Sequence, residues 1–205
     1  MGHRFAELAF MPTVMAVQEH EGSRDSYRRL EGGEAHHDRL GPAEASFIAA
    51  RDSFYMATVS ETGWPYLQHR GGPRGFLKVL DEGTIGFADF RGNRQYVSVG
   101  NLLGDDRVAL ILVDYPNRRR LKILGRARAV TMDDAAKLGR LDLPGYRAKV
   151  ERGLLIAVET FDWNCPQHLT PRFTTEEIAG AVALLHARIA ELEAALARAG
   201  GEHSG

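Results

Sequence analysis

The feature that most constrains the fold of this chain is a succession of short segments with strand-like composition, joined by turns and interrupted by few helical stretches. Residues 54–60 (FYMATVS) and 65–70 flank the turn 61–63 and predict a hairpin. Further strands are predicted over residues 76–80, 84–89, 108–115, 121–130 and 154–161. Strands of similar length at such even spacing favour an antiparallel barrel over alternating βαβ units. No Gly-x-Gly-x-x-Gly motif follows a strand, which argues against a dinucleotide-binding Rossmann fold.

The sequence on either side of these strands predicts three parts. Residues 1–41 lack a long periodic segment and predict an N-terminal extension of short helical pieces and loops. Pro42 opens a predicted helix, because proline is well tolerated at the first helical position. It begins a barrel domain predicted over 42–173, which also holds short helices at about 95–103 and 133–141. Residues 174–205 are predicted to form a C-terminal helix and tail.

The C-terminal helix is predicted over residues 175–199. Thr174 and Glu177 have the spacing of a capping box, and Gly200 follows the last periodic residues. Large apolar residues recur at alternating spacings of four and three, namely Ile178, Val182, Leu185, Ile189, Leu192 and Leu196. This seam predicts burial either against the chain's own barrel or against a symmetric partner helix, and the sequence leaves both open.

Composition argues against several classes of function. The 205 residues carry a net charge of −1, whereas nucleic-acid and anionic-membrane binders usually have a strong positive excess. The apolar run 108–113 is far too short to cross a bilayer, and the stretch 8–17 predicts a docking arm rather than a signal peptide. Cys165 is the only cysteine, which excludes an internal disulfide and suits a cytoplasmic protein. Spaced Cys and His ligands are missing from the sequence, so no metal site is expected.

Two polar segments at predicted strand ends have the residue types that bind anions. Residues 68–72 (QHRGG) set an arginine beside two glycines that let the backbone approach a ligand, although a solvent-facing arginine would look the same. Residues 89–95 (DFRGNRQ) join a strand to a short helix, where exposed amides and arginines attract anions. A simple turn with solvated arginines is the alternative for this second segment.

Two later segments are less decisive. Residues 117–122 (NRRRLK) open a strand with three arginines, which is typical of a charged edge strand, a phosphate site or a nucleic-acid patch. Strand alternation prevents all three arginines from facing one ligand. Residues 163–168 (WNCPQH) combine a tryptophan that can stack on a flat ring with a glutamine and a histidine that can donate to its edge.

Together these segments resemble the pyridoxamine 5'-phosphate oxidase-related FMN-binding proteins. The resemblance rests on residues 50–60 (ARDSFYMATVS), 63–66 (GWPY), 68–72 (QHRGG), 86–95 (GFADFRGNRQ), 114–116 (DYP), 121–127 (LKILGRA) and 162–168 (DWNCPQH). It covers about residues 45–173, with these segments in the family's order. It implies a split β-barrel of the α+β type that forms a homodimer, with FMN in clefts between the subunits.

The resemblance also implies which residues contact the cofactor. The second strand would contribute Gln68, His69 and Arg70 to the flavin or its phosphate. The loop after the fourth strand would contribute Ala88, Asp89, Asn93, Arg94 and Gln95, with Arg94 as the phosphate clamp, and a later strand would contribute Arg120. The other subunit would contribute Trp163, Gln167 and His168. No catalytic acid or base is implied.

The activity implied by the resemblance is that of an FMN-dependent oxidoreductase, which transfers hydride to or from a small molecule and takes electrons from a small or nicotinamide-type reductant. The oxidases carry a basic pair where this chain has Arg94 followed by Gln95, and their C-terminal substrate-binding residues are not recognisable here. These departures argue against pyridoxamine 5'-phosphate oxidase activity itself. Two alternatives stay open on the same barrel: a non-enzymatic flavin or haem carrier or sensor, and a deazaflavin-dependent reductase.

Overall fold

The computed structural model describes residues 3–32, 37–131 and 133–201 and shows a mainly β chain with helices at both ends. The described strands are antiparallel and form one sheet: β1 (Ser53–Val59), β2 (Pro65–Gly71), β3 (Lys78–Asp81), β4 (Thr84–Phe90), β5 (Arg107–Asp114), β6 (Arg119–Val130) and β7 (Val150–Asn164). Their order in the sheet is β2-β1-β5-β6-β7-β4-β3. The predicted α+β split-barrel architecture with a long C-terminal helix is confirmed.

The helices lie before, between and after the strands. They are α1 (Arg4–Ala9), α2 (Pro12–His20), α3 (Arg24–Glu31), α4 (Pro42–Ala49), α5 (Val97–Gly104), α6 (Ala135–Gly139) and α7 (Thr175–Gly201). Proline opens α2 and α4, where its fixed φ suits the first turn and its missing N–H is not needed. Within the described ranges, no helix combines the length and the apolar character needed to span a membrane.

The inside of the sheet is filled by side chains from alternate strand positions. Phe54 on β1 lies 5.6 Å from Phe76 and 5.3 Å from Phe87 on β4, measured between ring centroids. Phe54 and Phe87 therefore connect strands near opposite edges of the sheet, which curls around this aromatic core. On β6, Leu121 and Ile123 are fully buried while Lys122 between them is partly exposed, as the predicted alternation requires.

Two element boundaries differ from the sequence prediction for physical reasons. Strand β7 begins at Val150, earlier than expected, because its first polar residues still pair with β4, where Asp89 lies opposite Arg152. Helix α5 begins later than expected. The Gln95 N–H donates to the Asn93 side chain at 3.2 Å, and Tyr96 has a left-handed φ of 54° that a helix cannot accommodate.

The chain divides into two compact units. The first extends to Asp114 and then from Arg119 to Pro166, and it contains the sheet and α1 to α6. The second consists of Tyr115–Arg118 and the chain from Gln167 onward, which includes α7. In the second unit, the Thr174 and Glu177 side chains each accept a hydrogen bond from the other's backbone N–H, as predicted for the capping box. The predicted domain boundaries after residues 41 and 173 stay predictions.

A bulge in β7 forces an unusually close approach between β6 and β7. The pairing steps from Leu124 with Thr160 to Gly125 with Val158, which leaves Glu159 as the extra residue on β7. At this step the β6 backbone lies directly against β7, and only glycine leaves enough room.

We expect Gly125→Ala to lower the free energy of unfolding by about 1–3 kcal/mol, the usual effect of overpacking a filled interior. A Cβ atom at position 125 would lie 2.4 Å from the carbonyl oxygen of Ala157, so the two strands would have to separate. Gly139→Ala in α6 is the matched control, because a Cβ atom there meets nothing within 4 Å. Urea denaturation measures both variants, and equal stability of the two would contradict the prediction.

Candidate functional site

An ion pair crosses the open side of the barrel, where the described sheet has no backbone ladder between β2 and β4. Nη1 of Arg70 on β2 donates to Oδ1 of Asp89 on β4 at 2.8 Å. Alternation along β2 places Gln68 on the same face as Arg70 and His69 on the opposite face. Both charged side chains are largely buried, with 13% and 8% of their surfaces exposed. The pair therefore joins the two sides of the split.

Asp89 has a second cationic neighbour on β7. Nε of Arg152 lies 3.3 Å from Oδ2 of Asp89, as the strand register requires. Burial raises the pKa of the Asp89 carboxyl above its ordinary value, while the guanidinium groups of Arg70 and Arg152 act in the opposite direction. Desolvation is the largest of these effects, so the carboxyl loses its proton less readily than a solvent-exposed one, even between two arginines.

The loop between β4 and α5 is shaped by short-range hydrogen bonds. The Asn93 side chain accepts the Gln95 N–H, and Nε of Arg94 donates to the Tyr96 hydroxyl at 3.1 Å. Arg94 and Tyr96 have φ values of 62° and 54°, a left-handed conformation that is uncommon for residues other than glycine. The loop thus holds the side chains of Asn93 and Arg94 just before the first turn of α5.

Tyr96 and Ser98 connect this loop to the strands. The Tyr96 hydroxyl donates to Oε1 of Glu151 at 3.3 Å, and the guanidinium carbon of Arg152 lies 5.0 Å from the centroid of the Tyr96 ring. The Ser98 hydroxyl donates to Oε1 of Gln68 at 2.8 Å. Strands β2, β4 and β7 and helix α5 therefore surround one space.

Two adjoining cavities occupy this space. The first measures about 280 Å³ and is lined by Gln68, Arg70, Asp89, Phe90, Gly92, Asn93, Arg94, Tyr96, Ser98, Val99 and Glu151. The second measures about 300 Å³, shares Gln68, Arg70, Asp89, Phe90 and Gly92 with the first, and extends to His69, Ala88 and Tyr146. We call this concave region the split site and define it by Gln68, Arg70, Asp89, Asn93, Arg94 and Ser98.

The electrostatics of the split site favour an anionic ligand. Two carboxylates are surrounded by a larger number of guanidinium groups, the set being Asp89 and Glu151 with Arg70, Arg91, Arg94 and Arg152. Within the described residues, the buried Nε of Arg70 has no hydrogen-bond partner, while that of Arg152 has only its 3.3 Å ion-pair contact with Asp89. The first N–H groups of α5 also lack an acceptor inside the helix, as at any helix start. Spare donors and spare positive charge together fit a phosphate group.

Most of the residues expected to contact a cofactor meet at the split site. Those that line its two cavities are Gln68, His69, Arg70, Ala88, Asp89, Asn93 and Arg94. Gln95 lies in the same loop, and its backbone N–H holds the Asn93 side chain in place.

Arg120 and Trp163 lie elsewhere in the first unit. The Arg120 guanidinium donates to the backbone carbonyl of Cys165, and Nε1 of Trp163 donates to Oε1 of Glu44 at 2.8 Å. Trp163 is eleven residues along β7 from Arg152, or about 36 Å of strand at the usual rise per residue. Within one chain, these residues are therefore separated from the split site along the sheet.

Two more expected residues, Gln167 and His168, belong to the second unit, where His168 has a left-handed φ of 57°. The run of three arginines is divided as well. Arg118 lies in the second unit, whereas the Arg119 guanidinium in the first unit lies 4.5 Å from the centroid of the Trp163 ring.

Sequence reasoning missed Ser98 of the split site and three residues that contact the site's side chains, Tyr96, Glu151 and Arg152. Glu151 and Arg152 precede the apolar stretch from which β7 was predicted, so they were left outside the strand. The sequence could have identified them in one way: if the strand is extended backwards from Leu154, these charged residues lie next to the end of β4. Ser98 carries no signal, because its role depends on the tertiary contact with Gln68.

Comparison with known proteins gives a family match. The sequence profile of the family described as pyridoxamine 5'-phosphate oxidase matches residues 40–152. Among curated protein sequences, none matches this chain.

Several solved structures are similar to this chain. HupZ of Group A Streptococcus is 16% identical, the alignment covers 65% of this chain and 100% of that one, and the TM-score is 0.47. An FMN-binding protein of Syntrophomonas wolfei is 15% identical, with coverage of 72% and 97% and a TM-score of 0.46. An F420 reductase is 17% identical, with coverage of 60% and 98% and a TM-score of 0.43.

We expect Asp89→Asn to change how stability depends on pH. Because the folded-state pKa of Asp89 is raised, its carboxyl favours the native state below about pH 4, and this contribution is lost as the pH rises through the folded-state pKa. The free energy of unfolding of the wild type should therefore fall relative to that of Asp89→Asn between about pH 4 and neutrality.

Urea unfolding across this pH range measures the difference, and Asp142→Asn, at an exposed carboxyl, is the matched control. A stability difference between the wild type and Asp89→Asn that stays constant with pH would contradict the prediction.

Proposed function

The chain belongs to the pyridoxamine 5'-phosphate oxidase family, and on that basis we propose that it binds FMN and acts as an FMN-dependent oxidoreductase on a small molecule. The observation that carries the proposal is the position of Arg70 and Arg94, which line one cavity, together with the buried Nε of Arg70, which has no hydrogen-bond partner among the described residues. A buried donor without a partner is rare in folded proteins, and a bound anion is one of the arrangements that would satisfy it.

The phosphate of FMN is the group that best matches these donors. It carries a charge near −2 at neutral pH and three acceptor oxygens, so several charge-assisted hydrogen bonds can form at once. In the proposed complex, Arg70 and Arg94 hold the phosphate from two sides. The first backbone N–H groups of α5 contribute further donors at the positive end of the helix dipole.

The flavin ring would lie against the remaining polar groups of the split site. The Ser98 hydroxyl donates to Oε1 of Gln68, which leaves the Gln68 amide N–H groups as donors for the ring edge. His69 and Ala88 line the second cavity, where the ring system can extend. Bound FMN supplies hydride transfer, while the protein supplies binding, orientation and electrostatics.

A second copy of the chain completes the proposed site. Arg120 and Trp163 are separated from the split site within one chain, so their contribution to a flavin requires a homodimer. We propose that the outward face of β1, β2 and β5 receives this copy, because most of its side chains are apolar and those on β2 are exposed. Leu67 on this face is 62% exposed, and Tyr55 next to it lies opposite Ile111. Gln167 and His168 are the further residues that the partner would contribute.

We propose that the substrate of this oxidoreductase is not pyridoxamine 5'-phosphate, since the basic pair of the oxidases is replaced by Arg94 and Gln95. The proposal places the protein in the cytoplasm, which suits a chain with a single cysteine.

The first experiment is the visible spectrum of the purified protein and titration of the apoprotein with FMN, followed by addition of nicotinamide cofactors. Flavin bands with one FMN per subunit, bleached by a nicotinamide cofactor, support the proposal. Binding without reduction supports a carrier or sensor, and preference for a deazaflavin supports that class of reductase.

We expect Arg94→Ala to weaken FMN binding by at least about tenfold, the usual effect of removing one charge-assisted hydrogen bond to a phosphate. Arg29→Ala, at an exposed arginine of α3, is the matched control and should bind FMN like the wild type. Fluorescence titration measures both dissociation constants. Unchanged affinity in Arg94→Ala would remove Arg94 from the phosphate site.

We expect Leu67→Asp to weaken FMN binding by at least about tenfold, because a carboxylate on the outward face of β2 would prevent close packing of the second copy. Leu67 is mostly exposed, so the substitution should leave the folding of the single chain intact. Leu103→Asp, at a leucine of α5 that is 87% exposed, is the matched control. If Leu67→Asp binds FMN as tightly as this control, the proposed dimer face is wrong.

A further inference from the structure

Helix α7 carries a row of large apolar side chains that are exposed to solvent. The row consists of Ile178, Val182, Leu185, Ile189, Leu192 and Leu196, with between 37% and 75% of each residue exposed. Spacings of four and three keep these side chains on one narrow stripe of the helix. A stripe of this kind is stable in water only when another surface covers it.

The identity of the side chains indicates what covers the stripe. In heptad notation the a positions are Val182, Ile189 and Leu196, and the d positions are Ile178, Leu185 and Leu192. Branching at Cβ in two of the three a positions, together with leucine in two of the three d positions, favours two parallel helices over higher assemblies. The other faces of α7 carry mainly alanine, for example Ala183, Ala187 and Ala190, which bury little surface.

The charges beside the stripe also distinguish parallel from antiparallel pairing. Arg188 occupies a g position and Glu193 occupies the following e position. In a parallel pair these positions face each other across the interface, so Arg188 meets Glu193 of the partner subunit on both sides. In an antiparallel pair centred on the stripe, g positions face g positions and Arg188 would meet its own copy. Arg188 also lies 2.9 Å from Glu191 in its own helix, and a guanidinium group has enough donors for both carboxylates.

From these observations we infer that α7 pairs with α7 of a second copy as a parallel, in-register, two-stranded coiled coil. The inference does not depend on flavin binding and holds for the apoprotein. It assigns the stripe to a partner helix and gives the chain a second contact between copies, apart from the outward face of β1, β2 and β5. The entropic cost of bringing the two helices together is reduced because two copies joined at one contact have a high effective concentration at the other.

Cysteine cross-linking of the full chain without FMN tests this arrangement. Cys165 is first replaced by serine, and Leu192→Cys is then introduced at a d position. Equivalent d residues lie next to each other in a parallel coil, so mild oxidation should link most of the chains through position 192. Leu184→Cys is the matched control, because Leu184 is 74% exposed on the same helix but lies off the stripe. We expect its cross-linking to be at least about tenfold slower, since its sulfur atoms face away from the interface.

Two results would overturn the inference. The first is equal cross-linking, or none, in Leu192→Cys and Leu184→Cys. The second is efficient linking between Val182→Cys chains and Leu192→Cys chains of different mass, because these positions are neighbours only in an antiparallel pair. In a parallel pair they are ten residues apart, which is about 15 Å along a helix and too far for a disulfide.

Charge reversal gives an independent readout of the orientation. Arg188→Glu should slow cross-linking through Leu192→Cys several-fold, because like charges would face each other at the g and e positions. Adding Glu193→Arg should restore the rate, since the two side chains then attract across the interface. Positions 188 and 193 are not neighbours on one helix, so this restoration cannot come from a contact within the chain. A double variant that links no faster than Arg188→Glu alone contradicts the parallel register.

Discussion

The ion pair between Arg70 and Asp89 determines how this barrel is closed. Strands β2 and β4 end near each other without a backbone ladder. The gap between them is bridged by side chains, with Nη1 of Arg70 2.8 Å from Oδ1 of Asp89. A ladder of hydrogen bonds would bring the strands within about 5 Å and leave no concave surface between them. Closing the split with long side chains keeps the core covered and still leaves room for a ligand beside the pair. The unusual pKa of Asp89 is a consequence of the same burial.

Strand length explains why the other expected cofactor residues are not at the split site. Strands β6 and β7 have 12 and 15 residues, which is long for a globular protein, and they carry side chains to both ends of the sheet. Arg152 stands at the end that meets the split, while Trp163 stands at the other end beside Glu44. A single copy of such a sheet cannot bring its two ends to one ligand. The proposed pairing of copies would bring the two ends to one ligand.

Local patterns were sufficient to predict the elements of the fold. The turn at 61–63, the alternation in β6 and the capping box of α7 are short-range signals, and each is present in the structure. The resemblance added the grouping of Arg70, Asp89 and Arg94. What could not be predicted depends on contacts between distant segments. The register that sets Arg152 opposite Asp89 is fixed by pairing across more than sixty residues of chain, and the hydrogen bond from Ser98 to Gln68 depends on where α5 packs.

Asp89 is an anion that the protein carries into its own binding region. An incoming anion must compete with this carboxylate for the guanidinium group of Arg70. A simple halide ion offers a single charge and no directional lone pairs, so it has little advantage over the carboxylate already present. A phosphate monoester offers nearly two charges and three oxygens, so it can contact Arg70 and Arg94 together. We therefore expect the Asp89 carboxylate to make this region selective for phosphate monoesters over singly charged anions, whatever the shape of the rest of the ligand.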